Sequence, residues 1–259
     1  MNAEEEWLLD EKYNGQRSKG FFADCKRLAS GEPLAYIIGQ VPFLNTTIHL
    51  DSHPLIPRPE TEFWVVNAIA HIKHTRKNRD PIPVFSPVRM LDLCAGSGCI
   101  GVAVAKAIPD AYVTFAELDF RHQLTIEKNL TTNLPFEWKV CGRYAIRGGD
   151  LFENVSGTFD VILSNPPYID PAFDRTEESV KKYEPHGALY GGRLGLELIE
   201  QIIAEAPAYL TECGVLYLEH EPEQAAEIHI LGVRAGLSPK THLDQYNIAR
   251  YTVLTRMQT

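Results

Sequence analysis

The feature that most constrains the fold of this chain is a glycine-rich loop between a predicted strand and a predicted helix. Residues 91–101 read Leu-Asp-Leu-Cys-Ala-Gly-Ser-Gly-Cys-Ile-Gly, so a G-x-G-x-x-G pattern begins at Gly96. The apolar run 90–93 predicts a buried strand, and the spacing over 99–108 predicts a helix. Glycines at such a junction allow a tight turn and the close approach of a ligand. This unit therefore predicts an α/β sheet with a binding loop.

Strands and helices continue to alternate after this loop. The further predicted strands span 111–116, 161–163, 215–218 and 248–255, the last of them paired with 238–243. The further predicted helices span 120–129, 194–210 and 224–236. Such alternation implies a mainly parallel sheet with helices on both of its faces.

The chain upstream of the loop is predicted to be mixed. Residues 4–30 are expected to be helical with a break near Gly15, and 48–50 and 55–56 are predicted strands. A helix is expected over 60–74, and the positions predicted to share one side of it are Phe63, Val66, Ala70 and Ile72. The following stretch, 74–87, contains three prolines and is predicted to be a linker or loop.

Acidic residues near the loop bear on its ligand. Glu117 follows the next predicted strand, 21 residues after Gly96, where a carboxylate can accept both hydroxyls of a ribose. Nicotinamide dinucleotides and S-adenosylmethionine both present a ribose there, so this pair leaves both open. Asp92 favours S-adenosylmethionine, because pyrophosphate avoids a nearby carboxylate whereas a sulfonium and an ammonium attract one. Asp150 is either an acceptor for the adenine amino group, with Leu151 or Phe152 over the ring, or only a turn residue.

A second motif, Asn165-Pro166-Pro167-Tyr168, follows the buried strand predicted at 161–163. The Asn165 side-chain oxygen and the Pro166 carbonyl can each accept one N–H of a planar NH2 group. Tyr168 offers a flat face on which such a group can lie. A simple Asn-Pro-Pro turn with a core tyrosine is the alternative. The motif indicates a site for an amide or amino nitrogen.

Composition excludes several classes of protein. No apolar run approaches the roughly 20 residues of a membrane span, so no membrane association is expected. The net charge of −9 does not suit a protein that grips a nucleic-acid backbone, and it suits a basic protein partner. Five cysteines without a C-x-x-C pair fit free thiols, and nine histidines show no metal-ligand spacing. His220, at the end of a predicted strand, is either a base or, more in keeping with its position, a packing residue.

Several further segments carry a resemblance to a known family. They are 31–39 (Gly-Glu-Pro-Leu-Ala-Tyr-Ile-Ile-Gly), 56–62 (Ile-Pro-Arg-Pro-Glu-Thr-Glu), the loop 92–101, the turn 164–169 and 184–196. With them the chain resembles the release-factor glutamine N5-methyltransferases. The turn at Asn165 also occurs in enzymes that methylate nucleobases, whereas 31–39 and 56–62 are much more specific to this family.

The resemblance implies a fold and a division into domains. The expected fold is α/β, the class I S-adenosylmethionine-dependent methyltransferase fold, which is Rossmann-like with a mainly parallel seven-stranded sheet and an antiparallel last strand. The implied divisions are a small helical N-terminal substrate-docking domain (1–40), a β-hairpin linker (41–58) and the methyltransferase domain (59–259). The N-terminal domain is short for the family, and Cys94 stands where the family mostly has glycine, which predicts a tighter entry to the loop.

The resemblance also implies an activity, methyl transfer from S-adenosyl-L-methionine to the glutamine amide of a Gly-Gly-Gln motif in a class I peptide chain release factor. Asn165, Pro166 and Tyr168 would be catalytic, and Pro167, Arg58 and Glu60 would join them in binding substrate. The residues implied to bind the cofactor are Asp92, Cys94, Ala95, Gly96, Ser97, Gly98, Glu117, Asp150, Leu151 and Asn165. No metal is required, and a monomer is expected. Pro57 and Pro59 could instead only shape the helix entry, which leaves Arg58 and Glu60 open.

Three other interpretations fit parts of the sequence. An amino-methyltransferase acting on an adenine or guanine of DNA or RNA would use the same turn. A nicotinamide-dependent oxidoreductase would use the loop but leave the turn unexplained, and an inactive binding module would keep the fold alone. The sequence at 94–95 and 117–122 is more typical of a eukaryotic, mitochondrial member, with the bacterial cytoplasm as the alternative location.

Overall fold

The computed structural model describes residues 1–77 and 87–257 of the chain. The strands in this part are β1 (Gln40–Phe43), β2 (Thr46–His49), β3 (Arg89–Leu93), β4 (Tyr112–Glu117), β5 (Tyr144–Gly148), β6 (Phe159–Ser164), β7 (Leu210–Glu219), β8 (Leu237–Leu243) and β9 (Ala249–Arg256). The α-helices are α1 (Ala3–Tyr13), α2 (Lys19–Ala29), α3 (Leu34–Ile38), α4 (Pro59–Lys77), α5 (Cys99–Ala107), α6 (Phe120–Asn133), α7 (Phe136–Val140), α8 (Glu178–Tyr183), α9 (Glu197–Tyr209) and α10 (Ala225–Arg234).

Seven of these strands form one sheet in the order β5-β4-β3-β6-β7-β9-β8. The neighbours from β5 to β7 pair in parallel, and β9 runs antiparallel to both β7 and β8. The central strands are almost continuously apolar and buried, as expected for strands covered on both faces. The predicted fold, a mainly parallel sheet with an antiparallel last strand, is confirmed.

The direction in which successive strands are added to the sheet reverses at β3, which lies between β4 and β6. From β3 the chain moves outward through β4 to β5, and then returns to place β6 on the other side of β3. Ligands of open α/β sheets bind at such a switch point, outside the carboxyl ends of the strands. The loop after β3 and the turn after β6 therefore lie on either side of one crevice.

The N-terminal helices have a small core of their own. Leu8, Leu9, Phe21 and Ile37 pack together, separate from the clusters on the two faces of the large sheet. Asn2 and Ser18 cap the first two helices, and the chain breaks between them as predicted. These helices and the hairpin that follows lie where the domains 1–40 and 41–58 were placed, and that division remains a prediction.

The hairpin β1–β2 is held against helix α6 by two asparagine side chains. Asn129 accepts from the His49 N–H at 2.7 Å and donates to the His49 carbonyl at 3.1 Å. Asn133, one helical turn later, makes the same pair of bonds with Thr47. Asn129 also donates to the Ser97 carbonyl at 2.9 Å, so the hairpin, α6 and the glycine loop are tied together.

Three predictions in this region were wrong. Residues 55–56 form no strand, and the partner of β2 is β1, because Gly39 in a left-handed conformation turns the chain directly into a hairpin. Helix α4 extends to Lys77, so 74–77 is helical, and the rest of the predicted linker, 78–86, lies outside the described residues. The buried side of α4 carries Trp64, Val65, Ala68 and Ile72, whereas Val66 is 49 % exposed.

None of the described helices is long and apolar enough to cross a bilayer.

Candidate active site

The glycine loop adopts backbone conformations that few other residues allow. Gly96 and Gly98 have φ values of +54° and +77°, and Gly98 immediately precedes helix α5. At Gly101 the reason for glycine is steric, because a Cβ there would lie 2.3 Å from the Phe115 ring. Cys94 has φ +61°, a conformation that is uncommon for a residue other than glycine, and the tighter loop entry predicted there stays a prediction.

Glu117 lies at the end of β4 with its carboxylate directed to the loop. One oxygen accepts from the Gly96 N–H at 2.7 Å and the other from the Asp119 N–H at 2.8 Å. Each carboxylate oxygen can accept a second hydrogen bond, so a ribose hydroxyl can still bind. The structure thus brings Glu117 and Gly96 together as the sequence predicts, and the ribose role stays a prediction.

Asp92 is fully buried beneath the loop. Its Oδ2 accepts from the Gly101 N–H at 2.8 Å, and its Oδ1 is the one buried side-chain polar atom without a partner among the residues the structure describes. Burial raises the pKa of this carboxyl to about 8, the Gly101 N–H lowers it and the nearby Glu117 charge raises it. A cation above the loop would favour its ionised form, so Asp92 fits a sulfonium or ammonium ligand through its charge.

The stretch after β5 agrees only in part with its predicted role. Asp150 is exposed, with its N–H bonded to the Glu153 carboxylate at 3.1 Å, and Leu151 is 6 % exposed with φ +44°. Both remain candidates for the adenine site. Phe152 is not one, because its ring stacks on Tyr209 at 4.4 Å inside the core beneath the sheet.

The turn after β6 presents an acceptor, as predicted. Ser164 pairs with Leu93 across the switch point, and its hydroxyl donates to the Leu93 carbonyl at 2.9 Å. Asn165 comes next, and its Nδ2 donates to the Thr61 hydroxyl at 3.2 Å, so Oδ1 is the atom left for a ligand. Tyr168 donates its hydroxyl to Glu219 at 3.1 Å, which holds the ring in place.

The segment 189–196 supports this turn from outside. Ile169 donates to the Leu189 carbonyl at 2.9 Å, and Gly191 donates to the Ile169 carbonyl at 3.0 Å. Gln224 donates to the Tyr168 carbonyl at 2.8 Å and to the Leu194 carbonyl at 2.9 Å. The glycines of this segment allow its backbone to lie directly on the turn.

A cavity of about 380 Å³ opens at the turn, and its lining includes Leu55, Arg58, Asn165, Pro166 and Tyr168. Arg58 reaches it while paired with Glu184, with its Nη2 at 2.5 Å from the carboxylate. Glu60 is half-buried in the first turn of α4 and is not among the lining residues. The structure therefore brings Arg58, but not Glu60, to the predicted substrate position.

His220 has the packing role that its position favours. The side chain is fully buried, and its two ring nitrogens bond to the Glu221 carbonyl and the Thr252 hydroxyl, each at 2.8 Å. Burial lowers the pKa of His220 to about 4. No group of residues suited to a metal ion occurs within 1–77 and 87–257.

Two site residues were missed from the sequence, Thr61 and Glu219. Glu219 is the last residue of strand β7, as Glu117 is of β4. The pattern of an acidic residue after an apolar run, which indicates a site residue at Glu117, also indicates one at Glu219. Thr61 lies in the family-specific segment 56–62, but its role was not predicted, because its contacts are with residues more than a hundred positions away in the sequence.

The sheet order, the glycine loop after β3 with its acid after β4, and the polar turn after β6 define a class I S-adenosylmethionine-dependent methyltransferase. Residues 82–182 match the family model described as "Methyltransferase small domain". The solved structure of the T. thermophilus 16S rRNA N2 G1207 methyltransferase, in complex with AdoMet and guanosine, shares this fold. It is 17 % identical, with a TM-score of 0.54 over 84 % of this chain and 50 % of that chain.

Sequence relatives identify the family. The release factor glutamine methyltransferase of Rhodopirellula baltica is 35 % identical over 221 residues, which cover 84 % of this chain and 71 % of that protein. The release factor glutamine methyltransferase of Chlamydia trachomatis is 33 % identical over 92 % of this chain and 79 % of that protein. The chain belongs to the release factor glutamine methyltransferase family.

Proposed function

We propose that this enzyme transfers a methyl group from S-adenosyl-L-methionine to the N5 amide nitrogen of the glutamine in the Gly-Gly-Gln motif of a class I peptide chain release factor, which supports translation termination. The observation that carries the proposal is the Asn165 turn. Its side-chain amide donates to Thr61, which leaves its oxygen to accept from a ligand, and Asn165 and Pro166 line the cavity at this turn. The family to which the chain belongs selects glutamine among the planar NH2 groups that fit this turn.

A glutamine amide is a weak nucleophile, because its nitrogen lone pair is delocalised into the carbonyl. Asn165 Oδ1 and the Pro166 carbonyl would each accept one of its two N–H groups and so point the lone pair away from the turn. Both oxygens would also stabilise the positive charge that develops on nitrogen during transfer. The Tyr168 ring, held through its hydroxyl by Glu219, would support the amide plane.

Cofactor binding would use the residues around the glycine loop. Cys94 to Gly98 would line the methionine part, Glu117 the ribose, and Asp150 and Leu151 the adenine, while buried Asp92 would act through its charge. When bound, S-adenosylmethionine supplies an electrophilic methyl group on its sulfonium. The acceptor nitrogen loses its proton to solvent after it has become positively charged, so the chain needs no strong base at this site.

The nucleobase alternative uses the same turn but finds less support. The net charge of −9 disfavours a polyanionic substrate. The relatives that cover most of this chain are named for release factors. The likeness to the ribosomal RNA enzyme concerns the fold alone.

The proposal is tested by incubating the purified enzyme with S-adenosylmethionine and a class I release factor, followed by peptide mass spectrometry. We expect a mass increase of one CH2 group on the glutamine of Gly-Gly-Gln and none on a release factor with that glutamine replaced by alanine. Duplex and single-stranded DNA and RNA serve as competing substrates. Methylation of a nucleic acid with no methylation of the release factor would overturn the proposal.

Location and assembly are also proposals. The relatives from Rhodopirellula baltica and Chlamydia trachomatis are bacterial proteins, which favours the bacterial cytoplasm over the mitochondrion predicted from the loop sequence. Fractionation of the source cells with an antibody to this chain distinguishes the two. A monomer is proposed, and light scattering of the purified protein measures it.

A further inference from the structure

Glu219 is the centre of a buried hydrogen-bond network behind the Asn165 turn. Its side chain is 1 % exposed and accepts from the Thr61 hydroxyl at 2.8 Å, the Trp64 indole N–H at 2.6 Å and the Tyr168 hydroxyl at 3.1 Å. The donors come from two segments that are distant in sequence, the start of α4 and the turn after β6. A buried carboxylate is stable only when such donors compensate for its lost hydration.

Each hydrogen bond in this network has a defined donor and acceptor. The indole N–H of Trp64 can only donate, so Glu219 Oε2 accepts from it. Burial raises the pKa of the Glu219 carboxyl, and the hydrogen bonds from Trp64, Thr61 and Tyr168 act against this by favouring its acceptor-only form. The Thr61 hydroxyl then donates its single hydrogen to Glu219. Its oxygen is left to accept, and the group within reach is Asn165 Nδ2 at 3.2 Å.

These donor and acceptor roles determine whether Nδ2 or Oδ1 of the Asn165 amide faces Thr61. If the amide were reversed, Oδ1 would face the lone pairs of Thr61 Oγ1 with no hydrogen between the two oxygens. With Nδ2 toward Thr61, Oδ1 is turned to the cavity as an acceptor. An NH2 group turned to the cavity would instead repel the N–H groups of an incoming amide.

We propose that Glu219 and Thr61 are positioning residues for the methyl acceptor. Glu219, through the Thr61 hydroxyl, holds the Asn165 amide with Oδ1 toward the substrate, and through Tyr168 it holds the adjoining ring. The catalytic consequence rests on the proposed function, whereas the amide orientation itself does not.

The test compares Thr61→Val, which removes the hydroxyl at nearly constant volume, with Thr61→Ser, which keeps it. We expect Thr61→Val to lower kcat about 10- to 100-fold, because the acceptor is no longer held in one orientation. Thr61→Ser should restore most of kcat, and the Kd for S-adenosylmethionine should stay unchanged in both. Thr75→Val is the matched control, since Thr75 lies on the same helix and, within the described residues, its hydroxyl donates to the His71 carbonyl alone.

Glu219→Leu gives a second test, because it removes the acceptor of the Thr61 hydroxyl and leaves that hydroxyl able to donate to Asn165. We expect a loss of kcat at least as large, and little additional loss in the double variant with Thr61→Val, since both act through Asn165. If Glu219→Leu does not fold, the two Thr61 variants still decide. A Thr61→Val enzyme with the wild-type kcat, or a Thr61→Ser enzyme as impaired as Thr61→Val, would overturn the proposal.

A neutron structure of the wild-type protein separates this proposal from the proposed function. Deuterium on the Asn165 atom that faces Thr61 supports the orientation whatever the substrate is. The opposite orientation overturns it even if the release factor is methylated.

Discussion

Gly195 lies directly against the backbone carbonyl of Tyr168. A Cβ on Gly195 would stand 1.9 Å from the Tyr168 oxygen and 2.5 Å from Gln224 Nε2, and the residue has φ +65°. The substrate turn is therefore shaped by the segment packed on its outer side as well as by its own sequence. This contact explains in physical terms why a glycine stands at this position.

Gly195→Ala is expected to displace the turn. The clash involves a backbone atom that cannot rotate away, and the left-handed backbone adds strain, so we expect a loss of at least about 2 kcal/mol in the free energy of unfolding. Methyl transfer should fall with it. Gly187→Ala is the control, since nothing lies within 4 Å of a Cβ there. Urea unfolding of both variants measures the effect, and equal stability of the two would contradict the argument.

Asn165→Ala is expected to lower kcat by roughly 10²–10³, as does the loss of one preorganised electrostatic contact elsewhere. The side chain contributes an acceptor to the proposed transition state, while its only described hydrogen bond within the protein is the one to Thr61. Stability should therefore change little. Single-turnover kinetics together with calorimetric binding of S-adenosylmethionine checks this. Near wild-type turnover with normal cofactor binding would remove Asn165 from the mechanism.

The sequence predicted the parts of the site that are local in the chain. The loop at Gly96, the acid at Glu117 and the acceptor at Asn165 each follow an apolar strand, and parallel strands bring their carboxyl ends to one edge. Thr61 could not be predicted, because its partners Glu219 and Asn165 become neighbours only in the folded chain.

The error in helix α4 has a similar cause. Trp64 belongs to the buried side because its indole N–H has a buried partner in Glu219, which no spacing rule reveals. With Trp64 left out of the pattern, Val66 and Ala70 formed an equally regular apolar stripe, and that stripe is exposed.

Cys94→Gly is expected to relieve strain at the entry to the loop. A non-glycine residue at φ +61° destabilises the folded state by about 1–2 kcal/mol, and glycine avoids this strain. Glycine also makes the unfolded chain more flexible, which lowers the free energy of unfolding by about 0.4–1 kcal/mol. Cys94→Ala keeps the strained Cβ and loses only the thiol. We therefore expect Cys94→Gly to be more stable than Cys94→Ala by about 1 kcal/mol. Thermal unfolding of the pair measures this, and a more stable alanine variant would contradict it.

Asp92 is expected to make cofactor affinity depend on pH. Because burial raises its pKa to about 8, the free enzyme holds this carboxyl mostly protonated at pH 7. A cationic ligand favours the ionised form, so binding releases a proton and tightens as the pH rises through 8, by up to about tenfold. Asp92→Asn should remove the part of the pH dependence of cofactor affinity that comes from this carboxyl. The part that comes from ionisation of the ligand itself should be the same in the variant and the wild type. Calorimetry at several pH values compares them, and identical profiles would exclude Asp92 from binding.

His220 is expected to limit stability in acid. Burial lowers its pKa from 6.5 to about 4, so the unfolded chain takes up a proton before the folded one does. The stability that the neutral ring contributes is present above pH 6.5 and is lost as the pH falls toward 4. For one such group the free energy of unfolding drops by about 2 kcal/mol between pH 7 and pH 5.

His220→Gln should remove that drop, even though the loss of two buried hydrogen bonds lowers stability at pH 7. The readout is therefore the difference between pH 7 and pH 5 in urea unfolding, not the absolute value. His229→Gln is the control, because it makes the same substitution at an exposed position of α10. If His220→Gln and the wild type lose equal stability over this range, another group accounts for the acid sensitivity.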